Sequence, residues 1–289
     1  MKKIKKINIF SILTFILLFL YSLSLIVLLV WGILSSFKDP LLDFRTNYFG
    51  LPKEWKFTNY SYVYQHFLVP IGPNLDVTMF GQIINTLLIC SLSSVCSAFF
   101  PCLIGYLVAK YKCKFSSLLY TMALVIMSLP IIGADPSMLA LLKTLGLYDN
   151  YLTVFFHRSS YFGIYFFVYI AIFKSISNDF YEAASLDGAG DWRIFLRIMM
   201  PMIRNTFLTV FLLCFVNSWN DYQYALMYLP SMPTLSYGLY ILSTSTLQEM
   251  NNVPIRMTGA AIVVLPILIV FIVFKERLMG NLSMGGLKE

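Results

Sequence analysis

The chain has 289 residues and a formal net charge of +7, is 58% hydrophobic and only 12% charged, and has a mean hydropathy of +0.74. Soluble globular domains carry about 25% charged residues, so a water-soluble fold is excluded and lipid is the expected solvent for most of the surface. The basic residues sit at the ends of apolar runs, which reads as membrane topology rather than nucleic-acid binding.

Lys2, Lys3, Lys5 and Lys6 precede an apolar run from about Ile9 to Ile33. The run exceeds the ~7–15 residues of a signal-peptide core and can span about 30 Å of hydrocarbon. It is expected to be a retained first helix. Lys38 to about Thr78 holds Pro40, Pro52, Pro70, Gly72 and Pro73, which predicts an external loop with at most short helices. A second span is expected from Phe80 to Val108, followed by Lys110, Lys112 and Lys114, and a third from Phe115 to Ile132 with Pro130 inside it. Pro136 to Tyr148 predicts a short external helix at the interface.

The fourth span, about Tyr151 to Phe173, is interrupted near its outer end by His157 and Arg158. A fifth is expected from Thr206 to Leu229 and a sixth from Met257 to Phe274. Six spans place both termini on one side. Fourteen of the 21 Lys and Arg then fall on that side and seven on the other, which makes it the cytoplasm. The five cysteines, Cys90, Cys96, Cys102, Cys113 and Cys214, show neither metal-ligand spacing nor a disulfide framework, and are expected as small buried hydrophobes.

Between spans four and five, Lys174 to Arg204 does not belong to lipid. Asp179, Glu182, Asp187 and Asp191 are four of only 14 acidic residues. Asp179-Phe-Tyr-Glu182 fits a capping box. Phe180, Ala183, Ala184 and Asp187 then share one helical face, and Gly188 stands where the helix ends. A second helix from about Asp191 would carry Trp192, Phe195, Leu196 and Met199 on one side, with Pro201 bending the chain into span five. The pattern fits either a dock for a soluble partner or a solvated connector.

Glu182-Ala183-Ala184, Asp187-Gly188-Ala189, then Phe195, Ile198 and Pro201 resemble the EAA motif of binding-protein-dependent ABC importer permeases. Met200 before Pro201 and Asn205 in place of a second proline are departures that touch only the entry to span five. Gly50-Leu51-Pro52 with Trp55 and Asn59-Tyr60, Asn85-Thr86-Leu87, Gly105-Tyr106, Leu145-Gly146-Leu147, Trp219-Asn220 and Gly285-Gly286-Leu287-Lys288 resemble the carbohydrate-uptake branch. More closely, they resemble the smaller permease subunit of maltose, multiple-sugar and raffinose transporters. Glu289 departs from the usual final glycine.

The resemblance implies an all-α polytopic fold of the type I importer class, in a bacterial cytoplasmic membrane with both termini cytoplasmic. Residues 1–79 would hold the first helix and external loop, 80–280 the permease core with the coupling loop at 174–205, and 281–289 the tail. The implied partners are a second homologous permease, two ATPase subunits that hold ATP and Mg, and an extracellular solute-binding protein. The cargo would be a sugar, with an oligosaccharide favoured and glycerol phosphate as an alternative. Glu182, Ala183, Ala184, Asp187, Gly188, Ala189, Phe195 and Pro201 would dock the ATPase.

No P-loop and no His-Glu-x-x-His occur. His66 and His157 lie in different external regions, so neither ATP binding, metal binding nor catalysis is expected of this chain. An ion-coupled carrier would need more ionisable residues at mid-membrane depth than are visible. Asn217, Trp219, Asn220, Asp221 and Tyr222 are candidates for a sugar path, and binding to neighbouring helices is the competing reading. Arg158 either faces the path or, preferentially, snorkels outward.

Overall fold

The computed structural model describes residues 9–111, 113–129, 133–247 and 249–282, with the side chains of 276–282 left aside. The N-terminal lysines, Lys112, Pro130 and the glycine-lysine tail therefore lie outside the described residues.

In chain order the elements are α1 (Ile9–Ser36), α2 (Thr58–His66), a hairpin of β1 (Val69–Gly72) and β2 (Leu75–Val77), α3 (Met79–Lys110), α4 (Lys114–Ser128), α5 (Asp135–Thr144), α6 (Leu152–Arg158), α7 (Ile164–Ser175), α8 (Asp179–Leu186), α9 (Asp191–Ile194), a π-turn over Phe195–Met199, α10 (Met200–Met202), α11 (Arg204–Asn220), α12 (Tyr222–Tyr228), α13 (Leu235–Thr244) and α14 (Val253–Leu282). The architecture is helical and polytopic. By length and composition α1, α3 and Val253–Lys275 of α14 suffice to cross a membrane, and α4 and α7 are apolar but shorter. The expected six continuous spans are corrected in two places. Span four is split between α6 and α7, and span five between α11 and α12. The external loop, expected to hold at most short helices, also needs correction, since residues 69–77 pair as an antiparallel hairpin turned at Asn74, whose φ is +59°. The helix α13 had no counterpart among the expected elements.

The chain divides into two compact units, one of Met1–Leu68 with Leu239–Leu265 and the other of Val69–Gly238 with Pro266–Glu289. In the first, every residue of α1 from 9 to 30 is exposed, a stripe of Leu, Ile and Phe that only lipid can solvate. The C-terminal carbonyls of a helix lack intrahelical partners. Here the Asn59 amide donates to the Ser36 carbonyl at 2.8 Å and that of Lys38 at 3.0 Å, and the Thr258 hydroxyl donates to Ser36 at 3.0 Å. Lys38 is fully buried and donates to the carbonyls of Asn47 and Tyr48. Burial pushes its pKa below the ordinary lysine value, and nearby Asp43 partly restores it.

In the second unit α3 packs along α7 and α11. The close approach depends on Gly105, where a Cβ would lie 2.9 Å from Cβ of Tyr169 and 3.3 Å from the Phe166 carbonyl. Tyr106, Tyr169, Phe173, Phe195 and Met199 form the core there. Asn85 and Thr86 bind neighbouring segments. The Asn85 amide donates to the Pro233 carbonyl, Tyr151 donates to Asn85, and the Leu235 amide donates to Thr86.

Candidate functional site

Two places gather the polar residues of the second unit. The first is the loop between α7 and α11. The expected capping box does not form, because α8 starts from Asn178 as N-cap, whose carbonyl accepts from the amides of Tyr181 and Glu182. The Ser177 hydroxyl accepts from the Asp179 amide. The stop is as expected. Gly188 has φ +78°, its amide donates to Ser185 at 3.1 Å, and that of Ala189 donates to Ala184 at 3.0 Å. This is the paired 5→2 and 6→1 bonding that closes a helix through a left-handed residue.

Burial sorts the eight expected docking residues into two groups. Ala184 and Phe195 are buried in the core with Tyr106, Tyr169 and Phe173, so they hold the loop down and are not free for contact. Glu182, Ala183, Asp187, Gly188 and Pro201 are exposed, and Ala189 is half-buried. Beside them Leu186, which the periodicity had not singled out, is 89% exposed, and Trp192 is 60% exposed. Trp192 and Leu196 do not share the buried side with Phe195 and Met199, which corrects the expected face. Among the described residues neither Glu182 nor Asp187 is in an ion pair.

The register shift has a cause in Pro201. A proline inside a helix lacks an N–H and crowds the carbonyl four residues back. The preceding turn widens to a π-turn, with the Met200 amide bonded to the Phe195 carbonyl. Buried positions then recur as Phe195, Met199 and Ile203. The bend into α11 is 81° and falls at Ile203, two residues beyond Pro201.

The second place is where spans four and five break. α6 ends at Arg158, and α7 begins at Ile164. The freed Arg158 carbonyl accepts from the Ser97 hydroxyl of α3 at 3.1 Å and from the Ser160 amide at 2.8 Å. In span five Asp221 separates α11 from α12 and caps the latter, accepting from the Tyr224 amide at 3.0 Å. Its other carboxylate oxygen takes an N–H of Arg158 at 2.5 Å, and the guanidinium lies 4.0 Å from the centre of the Tyr224 ring. Arg158 therefore does not snorkel outward. It turns inward to a carboxylate 63 positions away in sequence, because an ion in an apolar interior is tolerated only when paired. The His157 ring lies 4.8 Å from that of Tyr228, tilted by 36°, and the Tyr228 hydroxyl donates to Asp135 at 2.9 Å.

A cavity of about 320 Å³ opens at this break, lined by Ser93, Ser97, Arg158, Tyr165, Asn217 and Asp221 among others. Of the five path candidates it brings together Asn217 and Asp221. Trp219 is buried against Phe215 instead, the Asn220 amide turns back to the Val216 carbonyl of its own helix, and Tyr222 does not line the cavity. Ser93 and Ser97 were missed as lining residues, and Arg158 takes the reading that had been weighed but not preferred. The signal for the serines was present, since polar residues four apart share one face of a span. Among the described residues no three His, Cys, Asp or Glu side chains come together as a metal site would require.

Residues 102–282 match the family described as the binding-protein-dependent transport system inner membrane component. The chain belongs to this family. Among its relatives, the arabinooligosaccharides transport system permease protein AraQ of Bacillus subtilis is 30% identical, over 82% of this chain and 80% of that protein. The diacetylchitobiose uptake system permease protein NgcG of Streptomyces coelicolor is 26% identical, over 96% and 88%. The melibiose/raffinose/stachyose import permease protein MelC of Bacillus subtilis is 24% identical, over 72% and 76%. The crystal structure of a bacterial ABC transporter that imports the acidic polysaccharide alginate superposes with a TM-score of 0.75 at 23% identity, over 93% of this chain and 96% of that one. The type I importer permease fold follows. In this binding-protein-dependent permease the loop 174–205 and the mid-span break are two places, among the described residues, where polar and charged side chains gather.

Proposed function

We propose that this chain is one of two permease subunits of an ATP-driven importer of oligosaccharides. The observation that carries the substrate class is that relatives aligned over most of this chain are described as moving diacetylchitobiose, arabinooligosaccharides and melibiose, raffinose and stachyose. A homologous permease, a pair of ATPase subunits binding ATP and Mg, and a solute-binding protein complete the machine. Both termini face the cytoplasm, as does the loop between α7 and α11.

The loop's build supports a role as a lever. Its outer surface offers Glu182, Ala183 and Asp187 beside the apolar Leu186 and Trp192. Its underside, Ile194, Phe195 and Met199, is fused to Tyr106 of α3 and Tyr169 and Phe173 of α7. Close-packed interiors move as bodies rather than deform continuously, so a push on the outer surface is carried into the helices. Closure of the ATPase pair would rock those helices and open the path outward, and hydrolysis would reset it. This subunit performs no covalent chemistry in such a cycle.

The test is purification of the tagged chain in mild detergent, then reconstitution with the subunits that accompany it. Uptake of labelled arabinotriose, raffinose and diacetylchitobiose is measured with and without ATP. Glu182→Lys is expected to lower both sugar-stimulated ATP hydrolysis and uptake at least tenfold, with normal membrane levels. Unchanged uptake in that variant would remove the docking role, and ATP-independent import would remove the whole reading.

A further inference from the structure

The cavity at the break has features that lipid-facing helix packing does not call for. Ser93 and Ser97 straddle the middle of the 32-residue α3, so the cavity sits at mid-span. Transporters place substrate there, at discontinuous helices. Its volume of about 320 Å³ lies at the lower end of the ~300–1,000 Å³ typical of ligand pockets, which suits one ring rather than a chain.

Two polar atoms of the wall are left without hydrogen-bond partners, Ser93 Oγ on a residue only 3% exposed and Arg158 Nε. Native interiors rarely leave such groups unpaired unless something else completes them. Arg158 and Asp221 cancel each other's charge, and each side chain keeps about a quarter to a third of its surface open, 25% and 31%. The wall therefore offers a donor fork and an acceptor side by side with no net charge. Asn217 adds both a donor and an acceptor on an exposed position, and Tyr165 supplies an apolar face.

We infer that this cavity receives one neutral, hydroxyl-rich sugar ring at a time, with Asp221 and Arg158 gripping adjacent hydroxyls and Asn217 and Ser93 completing the set. A carboxylated ring would bring an uncompensated charge into a cavity whose own two charges already cancel, and is disfavoured by its desolvation. The inference rests on the oligosaccharide reading and narrows it to neutral sugars passing unit by unit.

The experiment uses the complete transporter in proteoliposomes, with whichever of labelled arabinotriose, raffinose and diacetylchitobiose the wild type imports. The readout is sugar imported per ATP hydrolysed, in variants whose co-purified ATPase content is normal. Ser93→Ala and Asn217→Ala are each expected to lower that ratio by about five- to tenfold, the loss of one hydrogen bond. The apolar pair R158M/D221L, which removes both charges without leaving one unpaired, is expected to lower it further. An unchanged ratio in all three means that the cavity is structural or is filled by the companion permease, and overturns the inference alone. A wild type that prefers a uronic-acid disaccharide overturns the neutral assignment, and one that imports no sugar overturns the oligosaccharide reading with it.

Discussion

The loop between α7 and α11 and the break at Arg158 and Asp221 both carry ionised groups, and the structure treats them oppositely. Glu182 and Asp187 stand exposed and outside any ion pair among the described residues, on a surface whose apolar underside is packed into the helices. Arg158 and Asp221 are paired at 2.5 Å and share Tyr224, one through its ring and the other through its amide. Charge on the exposed face of the loop costs this fold nothing, because water solvates it. Charge at mid-span is kept inside a network of an ion pair, a helix cap and a ring contact, so its removal is costly while removal of the outer charge is not.

The largest expected effect breaks that comparison directly. Arg158→Ala leaves the Asp221 carboxylate half-buried without its cation, a loss of up to about 3 kcal/mol, since a quarter to a third of each side chain stays open. The detergent-purified variant should unfold at a clearly lower temperature, followed by size-exclusion of heated samples. R158M/D221L should recover most of that stability, and Glu182→Lys should not alter it. Equal sensitivity of Arg158→Ala and Glu182→Lys would show that the two regions hold charge in the same way.

The next effect concerns the packing that joins the regions. Gly105→Ala places a methyl 2.9 Å from Cβ of Tyr169, where backbone rather than a flexible tip must yield. Overpacking of this kind costs about 1–3 kcal/mol. Because the loop's core residues rest on the same α3–α7 seam, the variant should lose both thermal stability and coupling of ATP hydrolysis to uptake. Lost stability with full coupling would separate the seam from the lever.

Much of the loop was legible in sequence because its determinants are local. The residues of the motif are close together, and the Gly188 stop follows from one residue's backbone freedom. Where the reading failed, non-local or geometric causes were at work. The π-turn behind Pro201 altered a face assigned from a 3.6-residue period, and Trp192 and Leu196 came out exposed. His157 and Arg158 marked an interruption in span four, yet Phe155, Phe156, Tyr161 and Phe162 keep the run apolar on either side and hid that the helix ends there. The partner that turns Arg158 inward lies on another span, and no spacing in one sequence connects them. Asn220 and Trp219 were attractive as polar or aromatic residues in a span, yet one bonds its own helix and the other packs in the core.

The smallest effect sharpens the comparison within the loop itself. Gly188 and Gly190 are two residues apart, and neither would bring a Cβ within 4 Å of another atom. Space therefore does not distinguish them, and backbone conformation does. Gly188 holds φ +78°, where a β-carbon costs about 1–2 kcal/mol, whereas Gly190 has φ −69° and ψ 156°, a region open to any residue. Gly188→Ala should loosen the end of α8, seen as faster amide exchange at Gly188 and Ala189 and a several-fold fall in sugar-stimulated ATP hydrolysis. Gly190→Ala should change neither. If both substitutions are silent, the turn is not what presents Glu182 and Leu186 to the ATPase. If both are damaging, the partner presses on this stretch closely enough to reject a methyl, and the contact extends beyond the turn to the start of α9.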